Sequence, residues 1–323
     1  MPYPRLVFAT LVLLLCQSAP VFAAAPPKAE QHRITLASGV KIRATPAAGG
    51  QEVTRLPIGT ELRELERSER QETVGDKTDH WYRVATAEGK EGWVFGAFVR
   101  PFDPEQRVGI YLQIASQRME DQNASFLDRA DVANFLKRVT EKETDKAKLA
   151  MLELARWRAV SWALEAITPD LPQTVYEPWA KRQGEALVNS ELSGGWILKS
   201  GFLWKLEEKY RGLPEAEAFA WDAVKAPIEG ECEGYAPCSL NLAQTMEGEY
   251  LRRYPAGPHA EEALKGLSEV LTLDESITEL DKDGRAELHK ELKALEKALA
   301  KVKPEQKKTV VEKIKAMRKA TGG

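Results

Sequence analysis

Residues 80–102 read HWYRVATAEGKEGWVFGAFVRPF, and this stretch decides the fold of the N-terminal part of the chain. A run rich in aromatic and β-branched residues meets a turn signal at Glu88, Gly89 and Lys90, and a second such run follows. That is the pattern of an antiparallel hairpin. Upstream, ITLASGVKIRATP (34–46) alternates with period two and is closed by Pro46, with a turn at Gly49 and Gly50. EVTRLPIGTELREL (52–65) places Val53, Leu56, Ile58, Leu62 and Leu65 around a turn at Gly59 and Thr60. Residues 66–79 are strongly charged and read as a disordered insert. Five short strands over residues 33–101 predict a small antiparallel barrel, because closure protects the sheet edges.

Gly59 and Gly89 suit turn positions, and Gly92 lets one strand pass close to another. These features resemble the bacterial SH3 (SH3b) family. The matching residues are Gly39, Val40, Lys41, Ile42, Arg43 and Pro46, then Leu56, Pro57, Ile58, Gly59 and Thr60. They continue with Trp81, Tyr82, Arg83 and Val84, then with Gly89 to Val94 in unbroken order, and end at Phe98 and Val99. The resemblance implies an SH3-like barrel that binds peptidoglycan or a peptide of an envelope protein. It makes Trp81, Tyr82 and Trp93 the aromatic candidates for a ligand groove, with core packing as their other reading. The charged insert departs from the family pattern and lies beside such a groove or covers it.

Beyond Pro104 the strand signal gives way to helical spacing. Val108, Tyr111, Leu112, Ala115 and Met119 form one stripe, with Asp103 as its cap. Further helices are expected near 126–139 and 145–167, another after Pro178, and one over 196–210 following Gly194 and Gly195. This region, 104–275, is read as all-α. KYRGLPEAE (209–217) matches RYPAGPHAE (253–261) at a constant offset of 44 residues. In both copies a helix ends on a basic residue and tyrosine, and Ala-Glu opens the next helix after a proline. The hairpins resemble tetratricopeptide-like repeats, which implies a surface for a protein partner; a helical bundle with one duplicated hairpin is the other reading. Trp157, Trp162, Trp179, Trp196, Trp204 and Trp221 either pack between these helices or line a groove.

Residues 276–323 are expected to form a basic helical hairpin. Residues 285–319 carry twelve Lys/Arg against five Asp/Glu, and the formal net charge of -3 averages this basic end with an acidic remainder. That face is either solvated or docks on an acidic partner. The balance offers no global basic field for nucleic acid.

At the other end, Arg5 precedes an apolar run that ends at Leu15, and small residues at Val21 and Ala23 precede Ala24. This predicts a signal peptide over 1–23, a linker over 24–32, and a periplasmic or secreted protein without an integral membrane segment after processing. Cys16 follows three leucines, whereas lipoprotein processing needs a small residue before the acylated cysteine. Export leaves Cys232 and Cys238, a close pair expected to form a disulfide in an oxidising compartment. Zinc would need more ligands than the nearby His259.

No metal site or cofactor is predicted. No HExxH, GxSxG, SxxK or Walker motif occurs, and 279–290 fails as a calcium loop at its first and last positions. The expectation is a non-enzymatic binding protein. The alternative is a cell-wall hydrolase with a carboxylate-based site in the helical region.

Overall fold

The structure, a computed structural model, describes Met1 and residues 30–322 apart from residues 193, 229, 273 and 274. The expected leader, its cleavage point and Cys16 therefore lie outside the described residues. Seven strands form one antiparallel sheet: β1 (His32–Thr35), β2 (Val40–Arg43), β3 (Glu52–Leu56), β4 (Glu61–Val74), β5 (Lys77–Ala85), β6 (Glu91–Phe95) and β7 (Val99–Phe102). Their order is β3-β2-β6-β5-β4-β1-β7. Alternate residues fill the barrel, with Val40, Ile42, Leu56, Leu62, Tyr82, Val84, Val94 and Val99 in one core. Gly92 is required by close approach, since a Cβ there would lie 2.5 Å from Ile42 Cγ2 and 2.6 Å from the Arg43 carbonyl oxygen.

The charged stretch 66–79 is not disordered. It is the outer half of a β-ribbon in which β4 pairs with β5, including Glu72 opposite Asp79 and Val74 opposite Lys77. The ribbon closes at Gly75 and Asp76, with Gly75 at φ 65°. Its two faces are polar, so the backbone ladder holds it where hydrophobic alternation gives no signal.

The helical region begins with a cap formed by Asp103, whose side chain accepts from the Glu105 amide. It runs through α1 (Arg107–Met119), α2 (Phe126–Thr140), α3 (Lys146–Leu164) and α4 (Gln173–Lys181). Pro178 lies inside α4 rather than before its start. The region is also not all-α. Residues expected to begin a helix at Trp196 instead form β9 (Gly195–Leu198), which pairs with β8 (Leu187–Ser190). The next helix is α5 (Ser200–Tyr210), packed as a hairpin with α6 (Pro214–Lys225).

A second hairpin follows. α7 (Ala236–Ala243) continues through a π-helical segment (Gln244–Gly248) into α8 (Glu249–Arg253), and α9 (Ala260–Val270) returns. The structure thus repeats the hairpin that the sequence repeats, with Ala216 and Ala260 both buried where paired helices meet. The short helix α10 (Glu275–Thr278) leads to α11 (Lys282–Ala298) and α12 (Pro304–Ala320). These last two helices share a core with α7–α9, built around Leu251, Leu267, Leu288, Leu292, Leu295 and Ile314.

Cys232 and Cys238 form the expected disulfide, with Cα atoms 5.5 Å apart. It staples the α6–α7 connection to the first turn of α7. No helix among the described residues is long and apolar enough to cross a membrane.

The barrel is continuous with the helical core. Ile34, Ile58 and Phe102 belong to the same buried cluster as Tyr111, Val132 and Phe135. Phe102 stacks on Tyr111 with ring centroids 5.8 Å apart, and Tyr111 meets the edge of Phe135 at 5.6 Å. Polar contacts complete the junction. Tyr111 Oη donates to Glu61 at 2.5 Å, Ser38 Oγ donates to Asp131 at 2.6 Å, and Arg138 donates to the Ile58 carbonyl at 2.9 Å.

Candidate functional site

A cleft of about 260 Å³ opens on the barrel between the β1–β2 loop, β5, β6 and the turn before β7. Trp81, Phe95 and Phe98 form its aromatic wall. Trp81 and Phe95 are directly opposed across β5 and β6 and therefore share a face. Their ring centroids lie 5.3 Å apart, and Phe95 meets Phe98 at 6.1 Å. Such tilted and edge contacts fix the rings as well as bury them. Gly39, at φ 67°, turns the loop that carries Ala37 and Ser38 along the facing side.

Trp81 is only 3% exposed, so it acts as a wall rather than a free platform. Its indole N–H donates to Glu72 at 2.9 Å, and its backbone amide donates to Ser68 Oγ at 2.9 Å. Both partners lie on the β4–β5 ribbon, which also contributes Val74 to the cleft lining. The departure from the family pattern thus lies beside the groove and braces its principal tryptophan.

The rim is basic. Lys41 and Arg43 line the cleft, and Lys77 Nζ sits 5.4 Å from the centre of the Phe98 ring. Lys41 has an ion-pair partner in Glu52 at 3.5 Å, while Arg43 donates to the Gly50 carbonyl at 2.7 Å. Aromatic walls with a cationic rim suit a ligand that combines apolar atoms with carboxylates.

The three aromatic residues singled out from sequence do not come together. Trp81 lines the cleft. Tyr82 points with Val84 and Val94 into the barrel core, and the Arg33 guanidinium lies 3.3 Å from its ring centre. Trp93 is half-buried, opposite Arg83 on β5 and Arg43 on β2, and is outside the cleft lining. Sequence reading missed Phe95 and Phe98. Phe95 follows Trp93 by two residues and so shares its face, a signal available from strand periodicity.

Of the six helical tryptophans, Trp157, Trp162, Trp179 and Trp221 are buried. Trp179 donates to Asn134 at 3.2 Å, and Trp221 stacks on His259 with centroids 4.4 Å apart. Trp196 and Trp204 are half-buried. Trp157, Trp162 and Trp196 line a second, larger cleft of about 580 Å³ between α3, the β8–β9 hairpin, α5 and α6. Among the described residues no cluster of three or more His, Cys, Asp or Glu could hold a metal ion.

Residues 38–100 match the family model described as Bacterial SH3 domain. No curated protein and no solved structure matches the chain. The family match takes in β2 to β6, the first half of β7 and all of the cleft lining except Ala37, and leaves β1 outside. No tetratricopeptide family matches the helical region.

Proposed function

We propose that the protein is an exported, non-enzymatic binding protein whose barrel cleft holds a cell-wall peptide. The observation that carries this reading is the cleft walled by Trp81, Phe95 and Phe98 and rimmed by Lys41 and Arg43, set in a bacterial SH3 domain. Domains of that kind are typically cell-wall binding. Wall stem peptides offer methyl groups to the aromatic wall and carboxylates to the cations. The leader-like N-terminus and the Cys232–Cys238 disulfide support a periplasmic or secreted location. In this reading the two helical hairpins offer their outer faces to a protein partner in the envelope, as tetratricopeptide-like repeats do.

Purified sacculi, incubated with wild type and with Phe98→Ala or Lys41→Glu, test the wall half. Wild type should co-sediment, and each variant should lose most of the retention while keeping its circular dichroism. Wild type left in the supernatant refutes wall binding. Cross-linking in the intact envelope tests the partner half, and location follows from the N-terminus of the mature protein in fractionated cells.

The hydrolase reading finds one pair of carboxylates in the larger cleft, Glu165 and Asp222. Arg158 engages both oxygens of Asp222, at 2.7 and 3.1 Å, which suits a structural acceptor better than a general base. Clearing of a peptidoglycan zymogram would overturn the non-enzymatic proposal.

A further inference from the structure

We infer that the cleft in the helical region is a second binding site, and that it takes a neutral saccharide. It lies on a different module from the barrel cleft, so the inference does not depend on what the barrel binds. At about 580 Å³ it falls within the size range of small-molecule sites. Its floor is aromatic, with Trp157 and Trp162 buried and Trp196 half-buried at the side. Trp157 is held in place by Phe202, at 4.7 Å between centroids. Arg129 sits over the Trp162 ring at 4.7 Å and donates to the Trp162 carbonyl at 2.8 Å, so that ring is also fixed. Trp196 is delivered by β9, where it pairs with Asn189 of β8.

The rim is polar, and its carboxylates are already paired. Arg158 engages Asp222 and Arg129 lies 3.8 Å from Glu165, which leaves Lys225 as the further cation of the lining. This arrangement gives little pull on a phosphate, a nucleotide or a polyanion. It does give fixed donors beside fixed acceptors. The Arg158 guanidinium uses two N–H groups on Asp222, and a guanidinium carries five, so further donors remain for a ligand. The Asp222 carboxylate keeps acceptor capacity in the same plane. A pyranose has the matching chemistry: apolar C–H faces for indole rings, and hydroxyls that donate and accept at once. Hydroxyls bridging Arg158 and Asp222, with a ring face on Trp196, satisfy wall and rim together.

The full mature chain should be titrated with N-acetylglucosamine trimers and glucose trimers, followed by tryptophan fluorescence and calorimetry. At least one trimer is expected to bind saturably. Trp196→Ala should weaken that binding tenfold or more, and Arg158→Gln, a change at a half-exposed side chain, several-fold. Phe98→Ala in the barrel should leave it unchanged while removing wall-peptide binding, which separates the two sites. No binding by wild type at millimolar trimer refutes the inference. So does binding that Trp196→Ala and Arg158→Gln both leave intact, or selective uptake of anionic saccharides by the same cleft.

Discussion

Gly59 shows how one residue ties a local turn to a distant helix. At φ +73° it occupies a left-handed conformation that glycine reaches without strain. A Cβ built there would also lie 2.0 Å from the Phe135 ring of α2. Gly59→Ala therefore combines backbone strain with overpacking, and should cost about 3 kcal/mol in urea-induced unfolding. A variant as stable as wild type would mean that Phe135 and the turn relax freely. The turn itself is legible in the sequence as Gly59 and Thr60 between apolar residues. The ring it accommodates is 76 positions away and carries no local signal.

At the scale of elements, legibility followed periodicity. The barrel strands alternate because one face packs the core, and α1 carries an apolar stripe for the same reason, whereas α3 is buried around most of its circumference and shows none. The β4–β5 ribbon shows no alternation because both its faces are polar, although Gly75 and Asp76 between Val74 and Lys77 are a two-residue hairpin signal. The β8–β9 hairpin was lost because strands of four residues are too short to separate from a helix start. With it went the placement of Trp196.

The duplicated basic–tyrosine pair was legible as a repeat but not as a contact. Tyr210 is buried against Phe219, whereas Arg253 and Tyr254 reach across to Glu207 of the first hairpin. Arg211 joins them, so the buried Glu207 carboxylate has three donors. Burial pushes its pKa up, and hydrogen bonds from Arg211 and Tyr254 with the charge of Arg253 outweigh that and hold it below its ordinary value. A lowered carboxylate pKa stabilises the fold above the unfolded value of 4.5, and that contribution is lost as pH falls through the folded value. Glu207→Gln should remove about 3 kcal/mol at neutral pH and flatten the acid limb of the stability profile. An unchanged acid limb would assign that limb to other carboxylates. Reducing Cys232–Cys238 should cost about 2 kcal/mol, read as a lower midpoint with dithiothreitol, because the bridge closes only a short loop.

Taken whole, the chain joins barrel to helices through shared core residues rather than a tether. Ile34, Ile58 and Phe102 leave the barrel to enter the helical cluster, so the family match at 38–100 cuts through packed side chains. Chemical denaturation should therefore give coincident transitions from a barrel probe and a helical probe. Tyr111→Phe, which removes the bond to Glu61, should lower both midpoints together by about 1 kcal/mol. Separate transitions would show that the junction is energetically weak. Alkaline pH offers an independent test that reaches both cores. Burial raises the pKa of Tyr111, Tyr250 and Tyr254, and their carboxylate partners Glu61, Glu217 and Glu207 raise it further. An unfolded tyrosine ionises near 10.0, so ionisation is favoured in the unfolded chain first. The associated stability is fully present below that pH and falls as pH rises above it. Tyrosinate absorbance from these three groups should thus appear together with loss of helical circular dichroism, not before it. Their ionisation in a chain that stays folded would mean that the three hydroxyls are not held as the geometry requires.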